Sequence, residues 1–150
     1  MNERMDHQRN IFAQVFKLSN ILQVYLDNTL KEDQLTSKQM LLMIVIGSFG
    51  TSEPTFKEAA ERSGSSYQNV KQLALKLEKN GYVSIAVDDQ DKRAKRLLLT
   101  EQAMIYWNNR EERDVASMEK LFQTFTLEEL AQFDDYIIRL QEAITKLDEE

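Results

Sequence analysis

The sequence predicts a mostly α-helical protein carrying one small β-hairpin. Three observations lead there. Gly occurs four times and Pro once in 150 residues, whereas chains rich in strands and turns need both as punctuation. Thr36, Thr55 and Thr126 each open a capping box, in which a Thr and the Gln or Glu three residues later satisfy each other's orphan amides at a helix start. One β-branched and aromatic stretch, Tyr82–Val87, is followed by a polar turn, Asp88-Asp89-Gln90-Asp91, and a return segment, Arg96–Leu99.

The elements follow in order. Asp6 to Leu30 reads as a helix, because Ile11, Val15, Leu18, Leu22 and Tyr25 recur at alternating steps of four and three. Lys31-Glu32-Asp33-Gln34 breaks it. Thr36 opens an apolar, buried helix through about Gly47, and Gly50–Pro54 is a loop. Thr55 opens a short helix ending near Ser63-Gly64. Ser65 or Ser66 caps the next, whose inward stripe is Val70, Leu73, Ala74 and Leu77, and Asn80-Gly81 stops it. After the hairpin, Thr100 caps a long helix with a polar middle, Asn108–Asp114. Thr126 opens the last, in which Leu130, Phe133, Ile137, Leu140, Ile144 and Leu147 form a narrow seam suited to pairing with another helix. A short helix, a tight Gly-containing turn, a second helix and a β-hairpin make a winged helix-turn-helix. Residues 36–100 are expected to form that DNA-binding domain, flanked by a helical dimerisation region of residues 1–35 and 101–150.

Hydrophobic residues at 42% and charged residues at 29% describe a globular chain. No apolar run nears the roughly 18 residues needed to span a membrane, and the polar start Met1–Asp6 has no signal-like apolar region. No membrane partner and a cytoplasmic location are therefore expected. Zero cysteines exclude thiolate catalysis and cysteine-based zinc or redox sites. The net charge of −6 has the wrong sign for a simple nucleic-acid binder. It is unevenly spread, however. From Arg62 to Arg96 eight cations face four anions, a basic middle between acidic ends, as a local DNA-facing patch requires.

The ordered set of motifs resembles the MarR family of transcription regulators. Asn80-Gly81-Tyr82-Val83, then Asp91-Lys92-Arg93-Ala94, then Leu99-Thr100 looks like that family's wing signature. Ser66–Glu78 stands at the spacing of its recognition helix, and Leu35-Thr36-Ser37-Lys38-Gln39 is similar to the opening of its DNA domain. The resemblance covers nearly the whole chain. It implies a homodimer that binds double-stranded DNA at a pseudo-palindromic operator as a repressor, without a cofactor. It also implies a small aromatic or phenolic effector, with Phe16, Met43 and Trp107 as candidate lining. Arg93 would enter the minor groove and Asp91 would hold the wing.

A recognition helix reaches base edges with the exposed residues near its N-terminus. The DNA-binding residues expected here are Tyr67, Gln68, Asn69, Lys71 and Gln72, in which Gln and Asn can bond adenine bidentately, and Ser66, a cap first at a helix N-terminus that also favours a phosphate. Lys92, Lys95 and Arg96 are expected at phosphates. The chain departs from the family in carrying Ile85 where an arginine is common on the first wing strand. The bracing such an arginine would give the wing is missing unless Lys95 or Arg96 supplies it from the opposite strand, and a mobile wing is expected in the free protein. Ile85 could equally turn inward by strand alternation. Asp88 and Asp89 place negative charge beside Arg93. These departures favour the alternative reading, a winged-helix protein-interaction module with weak or lost DNA binding.

Nothing in the chain marks an enzyme or a metal site. His7 is the only histidine, the carboxylates show no dyad spacing, and no glycine-rich phosphate loop exists.

Overall fold

The computed structural model describes residues 2–149. Its helices are α1 (Glu3–Leu30), α2 (Ser37–Gly47), α3 (Phe56–Ser63), α4 (Tyr67–Lys79), α5 (Glu101–Phe122) and α6 (Leu127–Asp148). Strands β1 (Val83–Val87) and β2 (Lys95–Leu99) lie between α4 and α5 and pair antiparallel. The chain divides into two compact units, Met1–Ile105 and Tyr106–Glu150, with the boundary inside α5.

Local chemistry sets the helix starts. Thr36, Thr55 and Thr126 all make reciprocal capping boxes, with Gln39, Glu58 and Glu129 respectively. Helix α1 begins earlier than periodicity alone indicates, because the Asn2 side chain accepts the Arg4 amide at 3.1 Å. It ends in a 3₁₀ turn, Lys31–Asp33, followed by Gln34 in the left-handed conformation. That reversal lays α2 against α1, and the Ser37 amide donates to Asp27 Oδ1 at 2.6 Å across the junction.

In the first unit the core forms where α2, α3, α4 and the hairpin converge. Met43, Phe56, Ala59, Val70, Ala74, Leu77, Val83 and Leu97 are buried there. Helix α2 is buried on most of its circumference, as its apolar run requires, although Leu41 and Ile44 stay exposed. The hairpin is stitched to this core from outside its own ladder. The Leu97 amide donates to the Pro54 carbonyl at 2.8 Å, and Thr55 bridges to Arg96.

The second unit holds the rest of α5 and all of α6. The polar middle of α5 is organised: Arg110, a buried side chain, donates through Nε to Asp114 Oδ2 at 2.8 Å and also bonds the Tyr106 hydroxyl. Its hydrogen bond to Asp114 raises the arginine's pKa further still. At the α5–α6 turn, Phe125 packs against Phe122 and Phe133 with ring centroids 6.3 and 6.2 Å away.

Two rows of apolar side chains are exposed, one in each unit. On α1 they include Ile11, Val15, Leu18, Leu22 and Tyr25, and on α6 Phe133, Ile137, Leu140, Ile144 and Leu147. Monomeric proteins rarely leave contiguous apolar surface of this extent in water. No described helix is long and apolar enough to cross a membrane.

Candidate nucleic-acid interface

The helix-turn-helix is built by its caps. Gly64 ends α3 with φ +64°, a conformation that costs Gly little and an L-residue about 1 kcal/mol or more. Its amide and that of Ser65 return to the Glu61 and Ala60 carbonyls at 3.3 and 3.0 Å. Two residues later Ser66 caps α4, accepting the Asn69 amide at 3.2 Å. Asn69 itself is half-buried, with its side-chain amide donating to Ser65 Oγ at 2.7 Å. Asn69 and Ser66 thus both serve the cap.

With Val70, Ala74 and Leu77 locked inward and Leu73 half-buried, α4 turns Gln68, Lys71, Gln72 and Leu75 to solvent. Tyr67 is exposed on one side and rests against Phe56 on the other, ring centroids 5.7 Å apart. Its hydroxyl end is thereby held on a rigid base at the start of the helix. Lys76 and Lys79 follow near the C-terminus, where cations also favour the helix dipole.

The wing is held by a relay of polar contacts. In the register Val83↔Leu99 to Val87↔Lys95, Ile85 stands opposite the buried Leu97. Ile85 is half-buried, so it serves the apolar side of the hairpin. Beyond the last pair, the Asp88 amide donates to the Ala94 carbonyl and the Ala94 amide to the Asp91 carbonyl. Asp91 Oδ1 accepts the Arg93 amide at 3.0 Å, and Asp88 Oδ2 accepts the Asp91 amide at 3.1 Å. These bonds close the turn and leave Lys92, Arg93 and Lys95 exposed.

Arg96 supplies the bracing that an arginine on β1 would otherwise give. Its Nε lies 2.5 Å from Asp88 Oδ1, and its NH1 donates to the Glu53 carbonyl. The hydrogen bond from Arg96 holds the Asp88 carboxyl below the ordinary aspartate range, and the same bond raises the arginine. Where the sequence leads to a mobile wing, the structure differs: Arg96 supplies the brace, and the turn is tied back to the body. Arg62 is likewise occupied, stacked 3.5 Å from the Phe49 ring centroid and bonded to Ser48 Oγ at 3.1 Å. The sequence offers no signal for the carbonyls of Glu53 and Pro54 as partners of the hairpin, since a backbone acceptor leaves no mark in residue type.

The three residues expected to line an effector site have different surroundings. Met43 is 0% exposed in the core, Phe16 is exposed on α1, and Trp107 is half-buried on α5. The first unit does contain a cleft of about 420 Å³, and none of the three lines it. Its walls come from α1 (Ser19, Leu22, Leu26), α2 (Lys38, Leu41), the Gly64-Ser65 turn and α4 (Asn69, Leu73). Met43 has no free surface because α2 points it into the packed centre, whereas Lys38 and Leu41 lie on the face of the same helix that the core leaves uncovered. Among the described residues no group of three or more metal-ligating side chains comes together.

No protein-family model matches the sequence, and no curated protein matches it. Solved structures do. A MarR protein from Peptoclostridium difficile superposes with a TM-score of 0.79 at 23% identity, covering 90% of this chain and 87% of that one. AbsC, a MarR family transcriptional regulator from Streptomyces coelicolor, gives 0.80 at 16% identity over 94% and 96% of the two chains. MepR from S. aureus, solved as a DNA complex, gives 0.74 at 19% identity over 89% and 97%. Over about nine-tenths of its length, the chain has the winged helix-turn-helix fold of the MarR transcriptional regulators.

Proposed function

We propose that this protein is a MarR-type transcription regulator that binds double-stranded DNA as a homodimer and represses from a pseudo-palindromic operator. One observation carries the reading. A helix that exposes Gln68, Lys71 and Gln72 stands in the same unit as a braced hairpin that holds Lys92, Arg93 and Lys95 in solvent. Arg62 and Arg96, by contrast, are taken up by partners within the protein. In this reading Gln68 and Gln72 read bases, Lys71, Lys92 and Lys95 meet phosphates, and Arg93 enters the minor groove. Tyr67, Ser66, Asn69, Asp91 and Arg96 hold these groups in position. The role is regulatory rather than enzymatic, and it places the protein in the cytoplasm with its DNA.

The homodimer is supported by the apolar rows of α1 and α6, which a two-fold partner would cover with the same residues of its own chain. The cleft between α1, α2 and α4 supports an effector. Its leucines offer an apolar wall, and Lys38 with Ser19, Ser65 and Asn69 offers polar groups suited to a small aromatic acid or phenol. Because Asn69, held by Ser65, also donates its backbone amide to the cap residue Ser66, an occupant there would act on the helix that reads DNA.

The test is a mobility-shift titration against the DNA flanking the protein's own gene, beside a scrambled fragment of equal length. Retention of the native fragment at lower protein concentration than the scrambled one is expected. Equal, weak retention of both would favour the protein-interaction module.

A further inference from the structure

We propose that Arg96 is the positioning residue of the wing, acting on DNA through Asp88 and Asp91 rather than by touching it. The inference rests on the DNA-binding reading above and deepens it. The residue type invites the opposite conclusion, since an arginine two places from a basic turn is ordinarily a phosphate contact. Its geometry is inward. Arg96 pairs across the ladder with Ala86, whose small side chain leaves the guanidinium room to lie along the hairpin toward Asp88.

From there a continuous set of bonds runs to the tip. The Glu53 carbonyl accepts from Arg96, Asp88 accepts Arg96 Nε at 2.5 Å, Asp88 accepts the Asp91 amide, and Asp91 accepts the Arg93 amide. Asp88 is well shielded for a turn residue, with 12% of its side chain exposed, and Arg96 is about one-third exposed at 34%. One arginine therefore joins the α2–α3 loop, the wing turn and the backbone that presents Arg93. The same pairing offsets the charge of Asp88, one of the two aspartates that would otherwise repel a phosphate backbone beside Arg93.

Positioning and direct contact predict opposite signs for one substitution. Asp88→Asn removes a negative charge near DNA. If Arg96 is a phosphate contact, that change should leave affinity unchanged or improve it. If Asp88 is the middle of a brace, affinity should fall. The experiment measures binding to the same native fragment at several salt concentrations for wild type, Arg96→Gln, Arg96→Lys, Asp88→Asn and the Asp88→Asn/Arg96→Gln double variant. Amide exchange at Asp88 and Ala94 is followed without DNA. Both amides have backbone acceptors, so they report order in the turn without losing a partner to the substitutions.

We expect each single variant to bind about tenfold more weakly and the double variant to be no worse than either. Arg96→Lys should resemble Arg96→Gln, because an ammonium cannot span two acceptors as the planar fork does. The salt slope should stay at the wild-type value, and both amides should exchange faster. Three results would overturn the proposal: wild-type affinity in Asp88→Asn, a slope reduced by about one in Arg96→Gln, or unchanged exchange in both. Should the wild type bind no DNA, faster exchange would uphold the brace while the DNA reading failed, and unchanged exchange would reject the brace.

Discussion

Replacing Leu140 and Ile144 by aspartate together should convert the protein to a folded monomer. Both side chains lie on the exposed row of α6, 42% and 53% accessible in the single chain, so the protomer itself has little to lose. In a two-fold dimer each occurs twice. Complete burial of Leu or Ile contributes about 1.5–3 kcal/mol, so covering the exposed half of each contributes roughly 1 kcal/mol. Four such side chains give about 4 kcal/mol, on the order of a thousandfold in the dimerisation constant. Four carboxylates placed in the same interface add desolvation and mutual repulsion, which makes that figure a lower bound. Sedimentation equilibrium measures the constant, and far-UV circular dichroism checks that helix content persists. A wild-type protein already monomeric at micromolar concentration, or a variant still dimeric with an unchanged constant, would refute the reasoning.

Other outcomes follow from the interface itself. Arg93→Ala should weaken binding to most sequences, and Gln72→Ala should relax preference at one base position by about 1–3 kcal/mol if its contact is bidentate. Binding-site selection with both variants separates these, and an unchanged preference in Gln72→Ala would remove it from the readout set. Gly81→Ala should destabilise by about 1–2 kcal/mol, since φ is +83° and the new Cβ would sit 2.5 Å from Gln102 Oε1, forcing that side chain to move. Gly64→Ala, at φ +64° in open space, should cost only the left-handed backbone's about 1 kcal/mol, so equal urea midpoints for the two would contradict this account. Asp88 is held below its ordinary value, so the stability it lends the wing is complete above about pH 4 and is lost as pH falls through the lowered value. Protection of the Ala94 amide, corrected for intrinsic exchange, should be flat from neutrality to about pH 4 and fall below it.

The helix starts were legible because capping is local chemistry. Thr36, Thr55 and Thr126 each need only the residue three places on, and Ser66 only the Asn69 amide. The hairpin was legible for the same reason, and the Asp91 contact lies two residues from its partner. Side-chain duties set by distant packing were not. The Arg96 bond to Glu53 spans 43 residues, and the partner is a carbonyl that any residue could supply. Arginines in a basic segment look alike until the fold shows which have acceptors, and Arg62 and Arg96 do. Met43 illustrates the other limit. An apolar residue on a helix is equally apolar to a core and to a cleft, and only the packing of α2 reveals that it belongs to the core. The cleft itself is assembled from short polar residues and leucines of several elements, a pattern with no spacing to find.

The most direct test of the central claim is a DNase footprint of the protein on the DNA flanking its own gene. Two protected half-sites related by a dyad, with centres about one helical turn or ~10 base pairs apart, are expected at concentrations where the protein is dimeric. Protection of a single half-site, protection without a dyad, or none at all would contradict the account.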